Sequence, residues 1–295
     1  MPNERPPTID PVAAARWRRS APARSPWLHE EIGRRMAERL QWIRLEPAAW
    51  ADWEPVRGGL EAHRLVAQRY PRAQSWIVEH EPAQADAARA ALARPWWRLG
   101  APAVHWGAPA EGGVQMLWAN MALHMAADPQ ALIGQWQRLL AVDGFLMFSC
   151  LGPDTVGELR KLYARLGWPP PAHEFTDMHD WGDMLVHAGF AEPVMDMERI
   201  TLTWDSPQRL AAELRELGAN LHRGRFPGLR GRGWHRALED RLAHDLRGPD
   251  GRLALTFEIV YGHAVKPVPR VRMAGESAVS AQDMRALLRA GRKPG

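Results

Sequence analysis

The segment Phe145-Leu-Met-Phe-Ser-Cys150, introduced by Asp143-Gly144, is apolar at consecutive positions, so neither face of an extended chain through it suits water. Such a segment belongs in the middle of a sheet covered on both sides, which excludes a helical bundle or a one-faced antiparallel sheet here. Its surroundings alternate between extended and helical patterns. Residues 27–43 set Leu28, Ile32, Met36, Leu40 and Ile43 at three- and four-residue spacing, an amphipathic helix. A strand is expected over Ala48–Asp52, then Gly58-Gly59, then a helix over Leu60–Tyr70 stopped by Pro71. Ser75–Glu79 reads as a strand, Gln84–Ala93 as a helix, and Ala103–Trp106 and Gln115–Ala119 as further strands. Asp128-Pro129 opens a helix to about Leu140, and Asp143-Gly144 reads as a turn into the apolar segment. Repeated strand–helix alternation predicts an α/β fold, a parallel sheet with helices on both faces.

The second half changes character. A helix over His179–His187 ends at Gly189, and Val194–Trp204 and Leu253–Ala264 read as long strands, the latter with one strongly apolar face. Between them lie helical patterns over Pro207–Leu217 and Gly233–Leu246, joined by an arginine-rich connection; insertions of this length between neighbouring strands are usually functional. The expected organisation is a helical segment at 1–45, a core of 46–205 and 252–268, a helical lid at 206–251, and a basic, disordered tail at 269–295.

The net charge of +4 does not mark a nucleic-acid binder, because the tail holds it. From Lys266 onward there are seven Lys or Arg against Glu276 and Asp283, a net +5, which leaves the first 265 residues at −1. No run of ~18 apolar residues is present and the start is broken by prolines and arginines, so neither a membrane span nor a signal segment is expected, and the chain reads as cytoplasmic. The single cysteine, Cys150, excludes an internal disulfide and a four-cysteine zinc site, and its apolar neighbours make it a core residue rather than a nucleophile. Asp177, His179, Asp180 and Asp183 are read as a helix cap, Asp177, with solvated neighbours, and no metal is expected. His124 stays open between pocket and core.

Arg138-Leu-Leu-Ala-Val-Asp-Gly-Phe-Leu-Met-Phe-Ser-Cys-Leu-Gly-Pro-Asp-Thr155 resembles the fourth-helix, fifth-strand segment of class I S-adenosylmethionine-dependent methyltransferases. More narrowly, Gly152-Pro-Asp-Thr-Val-Gly-Glu-Leu-Arg160, Phe175-Thr-Asp-Met-His-Asp-Trp-Gly-Asp183 and Leu255-Thr-Phe-Glu-Ile-Val-Tyr-Gly-His-Ala264 are similar to the malonyl-acyl-carrier-protein O-methyltransferases of biotin synthesis, over roughly residues 10–268. The resemblance implies a Rossmann-like sheet of seven strands, mostly parallel with the last antiparallel, and a helical lid between the last two. It implies S-adenosylmethionine as cofactor, and an acyl-carrier protein or small carboxylate as partner. A carboxylate oxygen can attack the sulfonium methyl directly, so no catalytic residue is assigned.

The resemblance carries cofactor binding onto Asp52, Gly58, Gly59, Glu79 and Asn120. Asp52 and the glycines close the first strand and open the next helix; Glu79 ends the second strand, where an acid accepts from ribose hydroxyls; Asn120 ends the fourth, facing the expected pocket. Arg223, Arg225, Arg230 and Arg232, with no acid among them, are expected to meet a carboxylate or an acidic carrier. Two features depart from the family. Glu54 and Val56 stand where the first two glycines of the motif would be, and either one in a glycine-type dihedral would be strained. The loop Val104–Gly113 lacks the aspartate that contacts the adenine. The alternative reading is a catalytically degenerate binding or regulatory protein.

Overall fold

The computed structural model describes residues 9–92 and 102–269, together with Gln282 and Arg285. The expected disordered tail therefore lies almost wholly outside the described residues.

One sheet of seven strands runs through the molecule in the order β3-β2-β1-β4-β5-β7-β6. β1 (Ala49–Trp53), β2 (Gln74–Val78), β3 (Val104–Trp106), β4 (Val114–Ala119) and β5 (Leu140–Leu151) are parallel. β7 (Leu253–Val265) runs antiparallel between β5 and β6 (Ala191–Trp204). In chain order the helices are α1 (Pro11–Ser20), α2 (Trp27–Arg39), α3 (Pro55–Gly58), α4 (Leu60–Arg69), α5 (Pro82–Leu92), α6 (Pro129–Leu139), α7 (Gly157–Arg165), α8 (Met178–His187), α9 (Pro207–Leu217) and α10 (Arg232–Asp245). The pair α9–α10 sits between β6 and β7, where the lid is expected.

Side chains alternate across a strand, and that alternation sorts the core into two layers. Trp50, Trp118, Phe145 and Met147 face α2, α4 and α7. Ala51, Leu117, Leu146, Phe148 and Cys150 face α6 and α8. Leu28, Ile32, Met36 and Leu40 are all at most 1% exposed, so the helical spacing read from residues 27–43 is the face that docks; each such burial is worth roughly 1.5–3 kcal/mol. From Phe145 to Leu151 every residue of β5 is buried, as a central strand requires.

Local differences have local causes. Asp143-Gly144 is not a turn ahead of β5 but lies inside it: Asp143 takes φ 62° and donates its N–H to Lys266 O at 2.8 Å. The β4–β5 register shifts at this level, so the turn-forming dipeptide serves a β-bulge. α7, a helix that no expectation from the sequence covers, is capped by Val156 at φ 49°. α1 is set by Asp10, whose Oδ1 accepts from the N–H of Val12 at 2.9 Å, with Pro11 in the first turn. Among the described residues no helix is long and apolar enough to cross a membrane.

Candidate functional site

A cavity of about 550 Å³ opens at the carboxyl ends of β1, β2 and β4. In open α/β sheets this is where ligands bind, and the volume lies within the range of small-molecule sites. Trp53 and Glu54 follow β1 into it, Glu79 and His80 follow β2, and Met121 and Ala122 follow β4. α1 forms a further wall with Ala14 and Trp17.

Of the five expected cofactor residues, Glu79 lines this cavity. Its Oε1 accepts from the N–H of Val56 at 2.8 Å. Burial, reinforced by the negative charges of Glu54 and Asp52 and opposed by that hydrogen bond, pushes its carboxyl up to about 8.

The other four are committed to internal contacts. Asp52 is 2% exposed, and its Oδ2 lies 2.8 Å from His63 Nδ1 on α4; burial raises its pKa. Asn120 is 1% exposed and does not face the cavity. Its Nδ2 donates to His29 O at 2.7 Å and to Gly58 O, and its Oδ1 accepts from Ser149 Oγ at 2.6 Å. Asn120 therefore ties β4, β5, α2 and α3 together.

Gly58 and Gly59 serve the same packing. A Cβ on Gly58 would come within 2.9 Å of Asn120 O, and Gly59 takes φ +130°. The helix end they open is not an empty anion seat. Leu60 N–H donates to Ser25 Oγ at 3.1 Å, and Glu61 and Ala62 N–H both donate to Glu30 Oε2 at 3.1 Å. A carboxylate of the chain itself has filled the position that the helix dipole reserves for an anion.

Glu54 and Val56 behave differently from each other. Glu54 takes the left-handed conformation, φ 54° and ψ 51°, as expected for a residue in a glycine's place, at a cost of order 1 kcal/mol. It lines the cavity and lies 3.2 Å from His80 Nδ1. Val56 shows no such strain. It is a helical residue of α3, fully buried against Ile77 of β2 and Ala88 of α5. Neither side chain plugs the cavity.

Arg57, which the sequence reading did not single out, lines the cavity as well. Its guanidinium donates to Arg24 O at 3.1 Å, to Glu216 O at 2.6 Å and to Leu217 O at 3.2 Å, the last two at the carboxyl end of α9. Burial lowers its pKa to about 10. The only signal in the sequence was a basic residue inside a glycine-motif segment. No residue of the Val104–Gly113 loop lines the cavity, in keeping with the missing adenine-contacting aspartate.

A second pocket of about 120 Å³ adjoins the first, and Met125 and Leu217 line both. His124 is both buried, at 3%, and a pocket residue, so the two readings left open for it hold together. His173 Nε2 lies 3.0 Å from His124 O, and burial brings the His173 pKa down to about 4 and that of His124 well below the usual value. Leu214, Gly218 and Asn220 bring the lid to this pocket.

None of the four lid arginines lines either pocket. Arg223 Nε donates to Ile9 O at 3.3 Å, and Arg225 pairs with Asp10 at 2.8 Å. Two of the four thus hold the N-terminal segment against the lid instead of presenting themselves to a pocket carboxylate. Arg230 lies over the rings of Phe226 and Trp234, at 4.2 and 4.1 Å, and Arg232 is exposed at the start of α10. Cys150 sits in the core, where burial pushes its thiol up, and Asp177 caps α8 by accepting from His179 N–H at 2.8 Å.

No family model matches the chain. It is 38% identical over 263 residues to the malonyl-[acyl-carrier protein] O-methyltransferase of Gallionella capsiferriformans, covering 85% of this chain and 88% of that protein. It is 40% identical over 257 residues to the protein of the same name from Laribacter hongkongensis, covering 83% and 84%. The chain belongs to the malonyl-[acyl-carrier protein] O-methyltransferase family.

Solved structures agree on the fold of this family member. A candidate methyltransferase from Bacillus halodurans superposes with a TM-score of 0.55 at 15% identity, covering 79% of this chain and 99% of that one. The YcgJ protein of Bacillus subtilis gives 0.54 at 12%, covering 79% and 98%. At such identities they speak for the architecture alone. In this member of the malonyl-[acyl-carrier protein] O-methyltransferase family, the segment bordering the mouth of the sheet is held by Val56 packed on Ile77 and Ala88 and by Glu30 at the start of α4, with Glu54 in the left-handed conformation.

Proposed function

We propose that this chain binds S-adenosylmethionine in the larger cavity and transfers its methyl group to a free carboxylate of an acyl-carrier thioester, such as a malonyl group, held in the smaller one. The adjacency of the two pockets, which share Met125 and Leu217 in their linings, supports this reading most directly. A methyl donor and its acceptor must meet in line at a shared wall.

The residues present fit the cofactor. Glu79, half-buried at the end of β2, suits ribose hydroxyls, and Glu54 places an acidic side chain on the wall for a ligand whose sulfonium and ammonium are cationic. Trp53 and Met121 supply apolar surface beside them. When bound, S-adenosylmethionine supplies an electrophilic methyl group. The acceptor carboxylate is already ionised near neutrality, so the chain need provide no base. Its work is alignment and exclusion of water, for which Leu214 and Leu217 of the lid are placed against Phe257 and Leu159 of the core.

The outer face of the lid supports an acidic carrier as the larger part of the substrate. Leu229 is 100% exposed and Phe226 41%, and no acid occurs between Leu221 and Arg236. An exposed apolar tip beside Arg230 and Arg232, in a stretch without acids, complements a negatively charged partner.

The test is calorimetric titration with S-adenosylmethionine, followed by transfer of a labelled methyl group to malonyl-acyl-carrier protein. Binding and transfer are expected; no heat up to millimolar cofactor would overturn the reading. That second outcome would favour a carrier-binding protein without methyl transfer, a reading motivated by Glu30 in the anion seat of α4.

A further inference from the structure

We infer that Arg57 is the anchor for the carboxylate of the bound cofactor and that it links cofactor binding to closure of the lid. This rests on the cofactor reading above and adds to it the residue that replaces the rebuilt glycine segment.

The first observation is a vacancy of function at the expected seat. The N–H groups of Leu60, Glu61 and Ala62 are taken by Ser25 and Glu30, so the end of α4 offers a ligand carboxylate no donors and a resident negative charge instead. The second is an unneutralised cation on the cavity wall. Arg57 lines the cavity, is half-buried, and among the described residues has no carboxylate at ion-pair distance; its guanidinium donates to the carbonyls of Arg24, Glu216 and Leu217 and lies 5.5 Å from the centre of the Trp17 ring. A guanidinium that has lost part of its hydration gains from an anion, since carbonyl dipoles offset only part of that loss. Its Nε takes part in none of these three bonds.

The other arginines of the cavity are already engaged. Arg18 pairs with Glu81 at 3.2 Å and Arg138 with Glu111 at 3.5 Å. Arg57 is therefore the cation of this cavity left for an incoming carboxylate among the described residues. Because the same guanidinium holds the carboxyl end of α9, an anion that fixes it also fixes Leu217, the residue shared by both pockets.

The experiment compares two ligands that differ only in the carboxylate: S-adenosylhomocysteine and its decarboxylated counterpart, titrated calorimetrically into the wild type, Arg57→Met and Arg57→Lys. The wild type should prefer the carboxylate form by roughly tenfold or more, the scale of a hydrogen-bonded ion pair. Arg57→Met should bring that ratio close to one, and Arg57→Lys should keep several-fold of it. Limited proteolysis at the α9–α10 connection should slow on adding S-adenosylhomocysteine to the wild type and not on adding the decarboxylated form. A ratio unchanged in Arg57→Met shows a purely structural arginine and overturns the inference. If that variant does not fold, Arg57→Lys decides: a ratio below the wild type's but above one supports the inference, and an unchanged ratio or a ratio of one overturns it, as does a wild-type ratio of one. Binding of neither ligand by the wild type removes the cofactor reading itself, a result distinct from equal binding of both.

Discussion

Glu30 Oε2 lies 3.1 Å from the backbone nitrogen of Ala62, so a side chain of α2 closes the helix that begins at the glycine turn. The contact satisfies donors that α4 cannot satisfy itself and places a negative charge at its positive end. Replacing Glu30 by Ala should lower stability by about 1–2 kcal/mol, read as a fall in the urea midpoint. An unchanged midpoint would mean that solvent caps α4 equally well.

Glu54 and Val56 should respond in opposite directions. Glu54→Gly relieves a left-handed non-glycine residue and should stabilise the protein by roughly 1 kcal/mol. Val56→Gly removes a fully buried side chain packed on Ile77 and Ala88 and should cost about 3 kcal/mol. Thermal unfolding of the two variants checks both signs. Glycine at the two positions therefore acts in opposite directions on stability.

Glu79 should make stability depend on pH. Its carboxyl titrates near 4.5 when the chain is unfolded and near 8 when folded. Below the lower value both states are protonated and the group's contribution is intact. As pH rises from there through about 8, the unfolded chain ionises freely while the folded one resists, so stability is lost across that window. Urea unfolding at pH 5 and pH 8.5 should show a fall in the wild type that is much reduced in Glu79→Gln; parallel pH profiles would rule the assignment out.

Arg225 and Asp10 bind the N-terminal helix to the lid at 2.8 Å. In Arg225→Ala the amides of α1 should exchange with deuterium faster, while those of β5 keep their protection, because the global core is not touched. Equal protection of α1 in both proteins would place its anchorage elsewhere, in the Ile9–His222 bridge or the packing of Ile9 and Ala13 on Leu221.

Leu229 and Arg232 test the carrier face. Leu229→Asp with Arg232→Glu should lower kcat/KM at least tenfold on malonyl-acyl-carrier protein and leave a small malonyl thioester nearly unaffected, since neither residue lines a pocket. A parallel loss on both substrates would count against a carrier role.

The architecture was legible because the signals that encode it are local. The apolar run 145–150, the helical spacing of residues 27–43 and the alternation of Leu253–Tyr261 each report burial within a few residues, and the sheet and lid follow from their order. The second-half motifs placed the chain in its family for the same reason: they are contiguous. The bulge at Asp143-Gly144 was misread because a turn and a bulge use the same dihedrals.

The site was legible only in part. Sequence supplied Asp52, Gly58, Gly59, Glu79 and Asn120 by position, but position does not say which atoms are still free to bond. Asn120 spends its amide on His29 and Gly58, Asp52 its carboxylate on His63, and the glycine turn its helix end on Glu30, through contacts that span up to 91 residues. Likewise, only the folded chain brings α1 over the cavity, turns Arg223 and Arg225 toward Ile9 and Asp10, and leaves Arg57 on the wall with no carboxylate at ion-pair distance among the described residues. Local periodicity fixes which elements form, because burial of one face is decided over a turn or two. Which polar groups remain unsatisfied is decided only when distant segments meet, and it is those groups that bind.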